Sequence, residues 1–126
     1  MATRTLNRVM LIGNVGQEPR LTSTASGTPV ATFSMATNRS WLPAGAAERR
    51  EEAQWHFIVC FGSLAEICGQ ILTQGTKVFV SGRIQTRMVN EEEKQVKKKE
   101  IVARNIIALD KRKREEEDVN VSQKKV

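Results

Sequence analysis

The chain has few of the residues from which catalytic sites are usually built. Its 126 residues include one histidine and no tyrosine. The sequence also contains no His-Glu-x-x-His metal motif, no glycine loop of the kind that cradles phosphates, and no nucleophile elbow. We therefore expect a protein that is not an enzyme, with no catalytic residues and no cofactor.

Cysteine is also scarce, and its spacing argues against a metal site. Cys60 and Cys68 lack the paired spacing of a zinc knuckle. His56 and Cys60 would share one face of a strand, but three ligands without a fourth make a poor structural zinc site. We interpret both cysteines as small core residues and expect no metal.

Long hydrophobic runs are absent as well. No uncharged apolar run approaches the ~20 residues that span a bilayer, and the N-terminal Met1–Arg8 lacks an apolar targeting core. We therefore expect a cytoplasmic protein with no membrane partner. The chain does have surplus positive charge, because 20 Lys and Arg stand against 14 Asp and Glu, a net charge of +6. This surplus favours an anionic partner such as nucleic acid.

Alternating apolar and polar residues predict five strands and leave one segment with helical spacing. Residues 63–72 place apolar side chains three to four positions apart, with Ser63 as the expected N-terminal cap and Gly75 as the stop. Residues 22–29 and 42–53 have turn and loop compositions, and 90–95 is a polar hairpin connection. The strands are predicted at about 6–14, 30–41, 54–61, 77–87 and 97–109.

The element order β-β-β-α-β-β predicts an all-β, five-stranded OB-fold barrel with one short helix between strands three and four. An SH3-like barrel remains possible, although its usual elements do not include such a helix. We expect residues 1–109 to form this domain and residues 110–126 to form a charged, disordered or partly helical tail. The basic run Lys111–Arg114 would touch DNA phosphates or pair with the acidic residues that follow it.

The third predicted strand is the most informative segment, since its alternate positions are aromatic. Trp55, Phe57, Val59 and Phe61 would share one face of the strand, and the intervening residues would share the other. Such a face suits either a protein core or a surface on which nucleic-acid bases stack. The composition of this strand alone does not decide between them.

Several segments resemble bacterial-type single-stranded DNA-binding proteins. They follow the order of that family with nearly its spacing, and the likeness extends over about residues 7–109. The segments that carry the resemblance are Leu6–Pro19, Phe33–Trp41, Trp55-His56 with Cys60–Gly62, Leu64–Glu66 and Gly75–Arg87.

The resemblance implies sequence-independent binding and protection of single-stranded DNA during replication, recombination and repair. It also implies a homotetramer, with His56 at a position that matches the subunit interface. An OB-fold RNA-binding protein or a primosomal DNA-binding protein is the alternative. The residues expected to stack on bases are Trp41, Trp55 and Phe61, helped by Phe57, and those expected to approach phosphates are Arg8, Arg39, Arg83, Arg87 and, on the N-terminal arm, Arg4.

The chain also departs from the family pattern. Val89 stands where relatives often carry another stacking tryptophan, so Phe57 and its neighbours would carry more of the binding. The acidic C-terminal tip that recruits replication and repair proteins is absent, and Gln123–Val126 has the opposite charge. We therefore expect a nucleoid-associated protein whose tail-mediated recruitment of such partners is doubtful.

Overall fold

The computed structural model describes residues 4–109, which form six strands and one helix. No helix in this part of the chain is long and apolar enough to cross a membrane. The predicted tail, 110–126, lies outside the described residues. The elements are β1 (Val9–Val15), β2 (Arg20–Ser23), β3 (Pro29–Trp41), β4 (Arg50–Phe61), α1 (Ser63–Ile71), β5 (Lys77–Glu91) and β6 (Lys94–Ala108).

Five of the strands close into a barrel, in the order β1-β5-β6-β4-β3 with a return pairing of β3 to β1. All neighbours are antiparallel except β4 and β6. The barrel closes because β1 changes partners, leaving β5 and reaching β3 at Asn14 and Val15. Gly13 permits this, since a Cβ there would lie 2.2 Å from the carbonyl oxygen of Ala36. The predicted OB-fold barrel with one helix is confirmed.

Inward-facing side chains of every barrel strand form the core, which α1 helps to close. Ala65, Cys68 and Leu72 of the helical segment pack into it. The two cysteines are fully buried, with their Sγ atoms 3.3 Å apart. Their interpretation as core residues is confirmed. The strand residues that complete the core are Val15, Ala31, Phe33, Met35, Ile58, Cys60, Val78, Val80, Ile101, Ala103 and Ile106.

The helix differs at both ends from its prediction. Gly62, with φ of 69°, occupies the cap position, and no side chain caps the helix, so the prediction of Ser63 as the cap is wrong. Ser63 is instead the first helical residue. At the other end Leu72 is already extended, so the helix ends before Gly75.

Several strands are longer than predicted, and one was missed. The short β2 was not predicted; its last two residues overlap the segment 22–29, which was predicted to be a turn, and it pairs with β3. β4 begins at Arg50, inside the predicted loop, since regular pairing continues to Trp41 opposite Arg50. The β5–β6 hairpin closes through two residues, Glu92 and Glu93, which both have positive φ. This is the geometry of a type I′ turn.

Candidate nucleic-acid interface

The outer face of β4 carries the aromatic side chains in the arrangement that the sequence predicted. Trp55, Phe57 and Phe61 are 57%, 63% and 46% exposed, whereas Ile58 and Cys60 between them are buried. We call these three rings the aromatic row. Val59, on the same face, is buried between its partners on the neighbouring strands β3 and β6. The aromatic row therefore belongs to the protein surface and not to the core, whereas Val59 on the same face is buried.

The indole of Trp55 is positioned by a glycine on the segment that follows β1. A Cβ at Gly16 would lie 2.5 Å from Cζ3 of Trp55 and 2.8 Å from Oγ of Ser34. The missing side chain of Gly16 therefore leaves space for one edge of the indole. That edge lies against the barrel, while more than half of the side chain stays exposed.

Trp41 lies on the opposite face of the β3–β4 hairpin from the aromatic row. The register pairs Trp41 with Arg50 and Trp55 with Ala36, and positions 36 and 41 have opposite parity along β3. The guanidinium of Arg39 stacks on the Trp41 ring, 4.4 Å from its centroid, and also pairs with Glu52 at 3.4 Å. Trp41 and Arg39 thus form a cation–π pair at the end of the hairpin.

His56 shares the hairpin face of Trp41. Its side chain is half-buried, and its Nε2 lies 3.0 Å from Oγ1 of Thr37. The structure places it near the base of the hairpin, away from the aromatic row. It pairs across the strands with the buried Met35.

Arg83 and Arg87 project from the same face of β5, as their spacing predicted, but their surroundings differ. Arg87 pairs through Nε with Oε1 of Glu100 at 3.3 Å, and Gln85 donates a hydrogen bond to the same oxygen at 3.0 Å. The Glu100 side chain is only 12% exposed, while that of Arg87 is 60% exposed. Among residues 4–109, Arg83 makes one side-chain hydrogen bond, to the side-chain oxygen of Gln85 at 3.4 Å. Glu100 therefore neutralises one of the two arginines.

The aromatic row borders a groove in which basic and acidic side chains are mixed. Phe57 lines this groove, and so do Arg87 and Glu100, which form an ion pair. At the hairpin, Lys98 pairs with Glu91, so the acidic cluster there neutralises part of the basic charge. The remaining lining residues are Gln17, Glu18, Arg20, Thr32, Phe33, Ser34, Ile58, Lys98 and Lys99.

The N-terminal arm is fastened to β5 by a side chain. Asn7 accepts a hydrogen bond from the backbone NH of Ile84 at 2.8 Å and donates one to its carbonyl at 2.7 Å. Arg8 follows, and the β1–β5 register continued by one residue places it opposite Arg83. Arg4 is exposed and lies outside the strands.

The sequence reasoning missed Arg104, an exposed residue of β6 that lies near Arg8 and Arg83. Two signals pointed to it. The polar pair Arg104-Asn105 interrupts the alternation of the strand, and Gly82 stands inside the partner strand, where an isolated glycine often marks a bulge. The structure has an irregular register at this point, between Ser81 and Gly82.

Comparisons with known proteins give a family match and a similar solved structure. The family model described as "Single-strand binding protein family" matches residues 6–109. Among solved structures, the chain is similar to one described as "Plasmodium falciparum SSB complex with ssDNA". The identity is 33%, the match covers 87% of this chain and 100% of the other, and the TM-score is 0.76.

Proposed function

The chain belongs to the single-strand binding protein family and binds single-stranded DNA, and we propose that it does so without sequence preference, by stacking bases on the aromatic row. The family is one of DNA-binding proteins that are not catalysts. Stacking accepts every base, because each has a π-face. An aromatic ring that already lies against the barrel, as Trp55 does beside Gly16, would lose little conformational freedom when a base stacks on it.

The exposure of the aromatic row is the observation that carries this proposal. Three large rings that leave about half of their surface in water form a patch that monomeric proteins rarely keep without a binding purpose. Each base stacked on a ring is worth ~1–3 kcal/mol. Three stacked bases would therefore supply most of a micromolar affinity.

The arginines are proposed to hold the phosphates beside these rings. Arg8, Arg83 and, on the arm, Arg4 make no ion pair with any residue in the range 4–109. Arg39 and Arg87 do, but both are largely exposed. The pair of Arg39 with Glu52 is exposed on both sides and contributes ~0–1 kcal/mol, so a phosphate can replace Glu52. The exposed guanidinium of Arg87 can likewise bind a phosphate in place of the mostly buried Glu100 carboxylate.

Trp41 is proposed to extend the path onto the other side of the hairpin. A base stacked on the free face of its indole would complete a sandwich with the Arg39 guanidinium. Because Trp41 and Trp55 lie on opposite faces, one DNA strand can use both only by passing around the edge of the β3–β4 hairpin. The single-stranded DNA would then bend around the β3–β4 hairpin.

We propose that the protein coats and protects single strands during replication, recombination and repair, in the cytoplasm. Residues 1–109 would form the binding domain and 110–126 a separate charged tail.

A homotetramer is the proposed assembly, and an apolar patch on the barrel supports it. Ile12, Phe79 and Ile107 are cross-strand partners on three adjacent strands, beside Met10, and all except Phe79 are more than half exposed. Burial of this patch against a second copy would stabilise an assembly. We propose that His56 lies at an interface between subunits. A second copy that covered the His56 face of the β3–β4 hairpin would leave the aromatic row exposed.

Intrinsic fluorescence tests the stacking proposal, because the two tryptophans are the main emitters in a chain without tyrosine. Two variants, Trp41→Phe and Trp55→Phe, each leave one reporter. Titration with poly(dT) should quench the remaining emission in both, and added salt should weaken binding as counterions compete. Duplex DNA of equal length should compete poorly. Unchanged Trp55 emission at saturating poly(dT) would refute stacking on the aromatic row, and a preference for matched RNA over poly(dT) would favour the RNA-binding alternative.

A further inference from the structure

A second groove on the barrel surface is lined by arginines, and no acidic side chain from residues 4–109 lines it. It lies where the N-terminal arm meets the irregular register of the β5–β6 pairing, between Ser81 and Gly82. Its walls include Arg8 from the arm, Arg83 from β5 and Arg104 from β6. By contrast, the groove beside Phe57 contains Glu18 and Glu100 among its basic residues.

A β-bulge brings Arg104 into this groove. Gly82 pairs with Ala103 and Ser81 with Asn105, so Arg104 is the extra residue of β6. The strands approach so closely here that a Cβ on Gly82 would lie 2.1 Å from the carbonyl oxygen of Val102. The bulge breaks the two-residue alternation, and it presents Arg104 to solvent between the inward-facing Ala103 and Ile106.

The three guanidinium groups are not neutralised within the described residues. No carboxylate from residues 4–109 forms an ion pair with Arg8, Arg83 or Arg104. Like charges gathered on one surface repel each other, so the folded chain pays for this cluster in stability. A phosphate ligand would remove the repulsion and would use the bidentate geometry of guanidinium.

We propose that Arg8, Arg83 and Arg104 form a phosphate-binding groove that continues the path of single-stranded DNA beyond the aromatic row, with Arg104 as a further contact residue. This inference rests on the proposed function. It commits to the DNA backbone as the ligand because the groove and the row are neighbours on the outer surface of the barrel. Only β6 separates β4, which carries the row, from β5, so they lie about 10 Å apart. At this level Val59 of β4 pairs with Val102 of β6, and Val102 pairs in turn with Arg83 of β5.

Salt-dependent binding of poly(dT) to the full chain tests the groove. Each phosphate contact on a single strand contributes about 0.7 to the slope of log K against log salt concentration. Arg104→Ala should therefore lower that slope by about 0.7, and a double variant with Arg83→Ala should lower it by about 1.4. The matched control is Lys77→Ala, which removes the same charge at the far end of β5 and lies in the wall of neither groove.

Two further readouts separate the groove from the aromatic row. The tryptophan quench at saturation should be the same in Arg104→Ala as in the unaltered protein, because the rings are untouched. Arg104→Lys, which keeps the charge, should retain the slope. If the unaltered protein fails to quench with poly(dT), the proposed function itself is wrong.

The inference about the groove fails separately if the unaltered protein binds and is quenched while Arg104→Ala has the slope of the Lys77→Ala control. It also fails if Arg104→Ala changes the molecular mass by light scattering, since Arg104 would then belong to a contact between subunits.

Discussion

Glu100 is predicted to restrain DNA binding, because it occupies the guanidinium of Arg87 beside the aromatic row. Its carboxylate lies 3.3 Å from Nε of Arg87 and also accepts the hydrogen bond from Gln85. A phosphate that enters the groove must displace this carboxylate from Arg87 and approach its negative charge. The substitution Glu100→Gln removes the charge but keeps an amide oxygen that can accept both hydrogen bonds.

The expected gain can be estimated from charge and distance. A phosphate about 8 Å from the carboxylate is repelled by about 0.5 kcal/mol in a water-like dielectric and by about 1 kcal/mol at half that dielectric. Glu100→Gln should therefore tighten poly(dT) binding about two- to fivefold at low salt. If Arg87 gains one phosphate contact, the salt slope should steepen by about 0.7. The loss in folding stability should stay below about 1 kcal/mol, because the neutral amide can keep both hydrogen bonds at this mostly buried position.

Fluorescence titration with poly(dT) at several salt concentrations measures both quantities. The matched control is Glu66→Gln, which makes the same change of charge on α1, outside both grooves. The reasoning is refuted if Glu100→Gln binds no more tightly than Glu66→Gln, or if its salt slope is unchanged. Either result would mean that the Arg87–Glu100 pair does not compete with DNA.

Three other changes have definite expectations. Phe57→Ala should weaken poly(dT) binding about 5- to 150-fold, the value of one stacked base, with little loss of stability since the ring is exposed; unchanged affinity would remove Phe57 from the binding surface. Glu93→Gly should stabilise the fold by about 0.5–1 kcal/mol in urea unfolding, because φ of 66° strains a residue with a side chain; a lower midpoint would contradict this. The hydrogen bond with Cys60 and burial raise the pKa of the Cys68 thiol. Above pH about 8.5 the unfolded chain therefore releases a proton that the folded chain keeps. The free energy of unfolding should then fall by up to about 1.4 kcal/mol per pH unit. Cys68→Ala should show a shallower decline between pH 8 and 10, and an equal decline in both proteins would refute the assignment.

Local alternation was enough to predict which residues of β4 and β5 share a face, and the family resemblance indicated which face of β4 is the surface. In β4, the alternation of Trp55, Phe57 and Phe61 with Ile58 and Cys60 separates surface from interior as expected. The same reasoning places Arg83 and Arg87 on one face of β5. These assignments held because the direction of a side chain in a strand depends mainly on its parity.

Features that depend on pairing between distant strands could not be predicted. The opposite faces of Trp41 and Trp55 follow from the β3–β4 register, and the ion pair of Arg87 with Glu100 follows from that of β5 and β6. The missed strand β2 has four residues that are all exposed, so it carries no apolar alternation. Gly62, and not Ser63, is the N-terminal cap of α1, because its positive φ suits the sharp turn out of β4.

The two hydrogen bonds between the Asn7 side chain and the Ile84 backbone cover part of an exposed strand edge. Beyond Gly82, β1 no longer pairs with β5, and the edge of β5 would offer an unpaired NH and carbonyl to any extended chain. The side chain of Asn7 occupies both groups, as a neighbouring strand would. Unpaired NH and carbonyl groups of a strand edge are where a foreign strand would add to a sheet. Asn7 therefore covers the part of the β5 edge next to β1, where an added strand would otherwise continue the β1–β5 pairing.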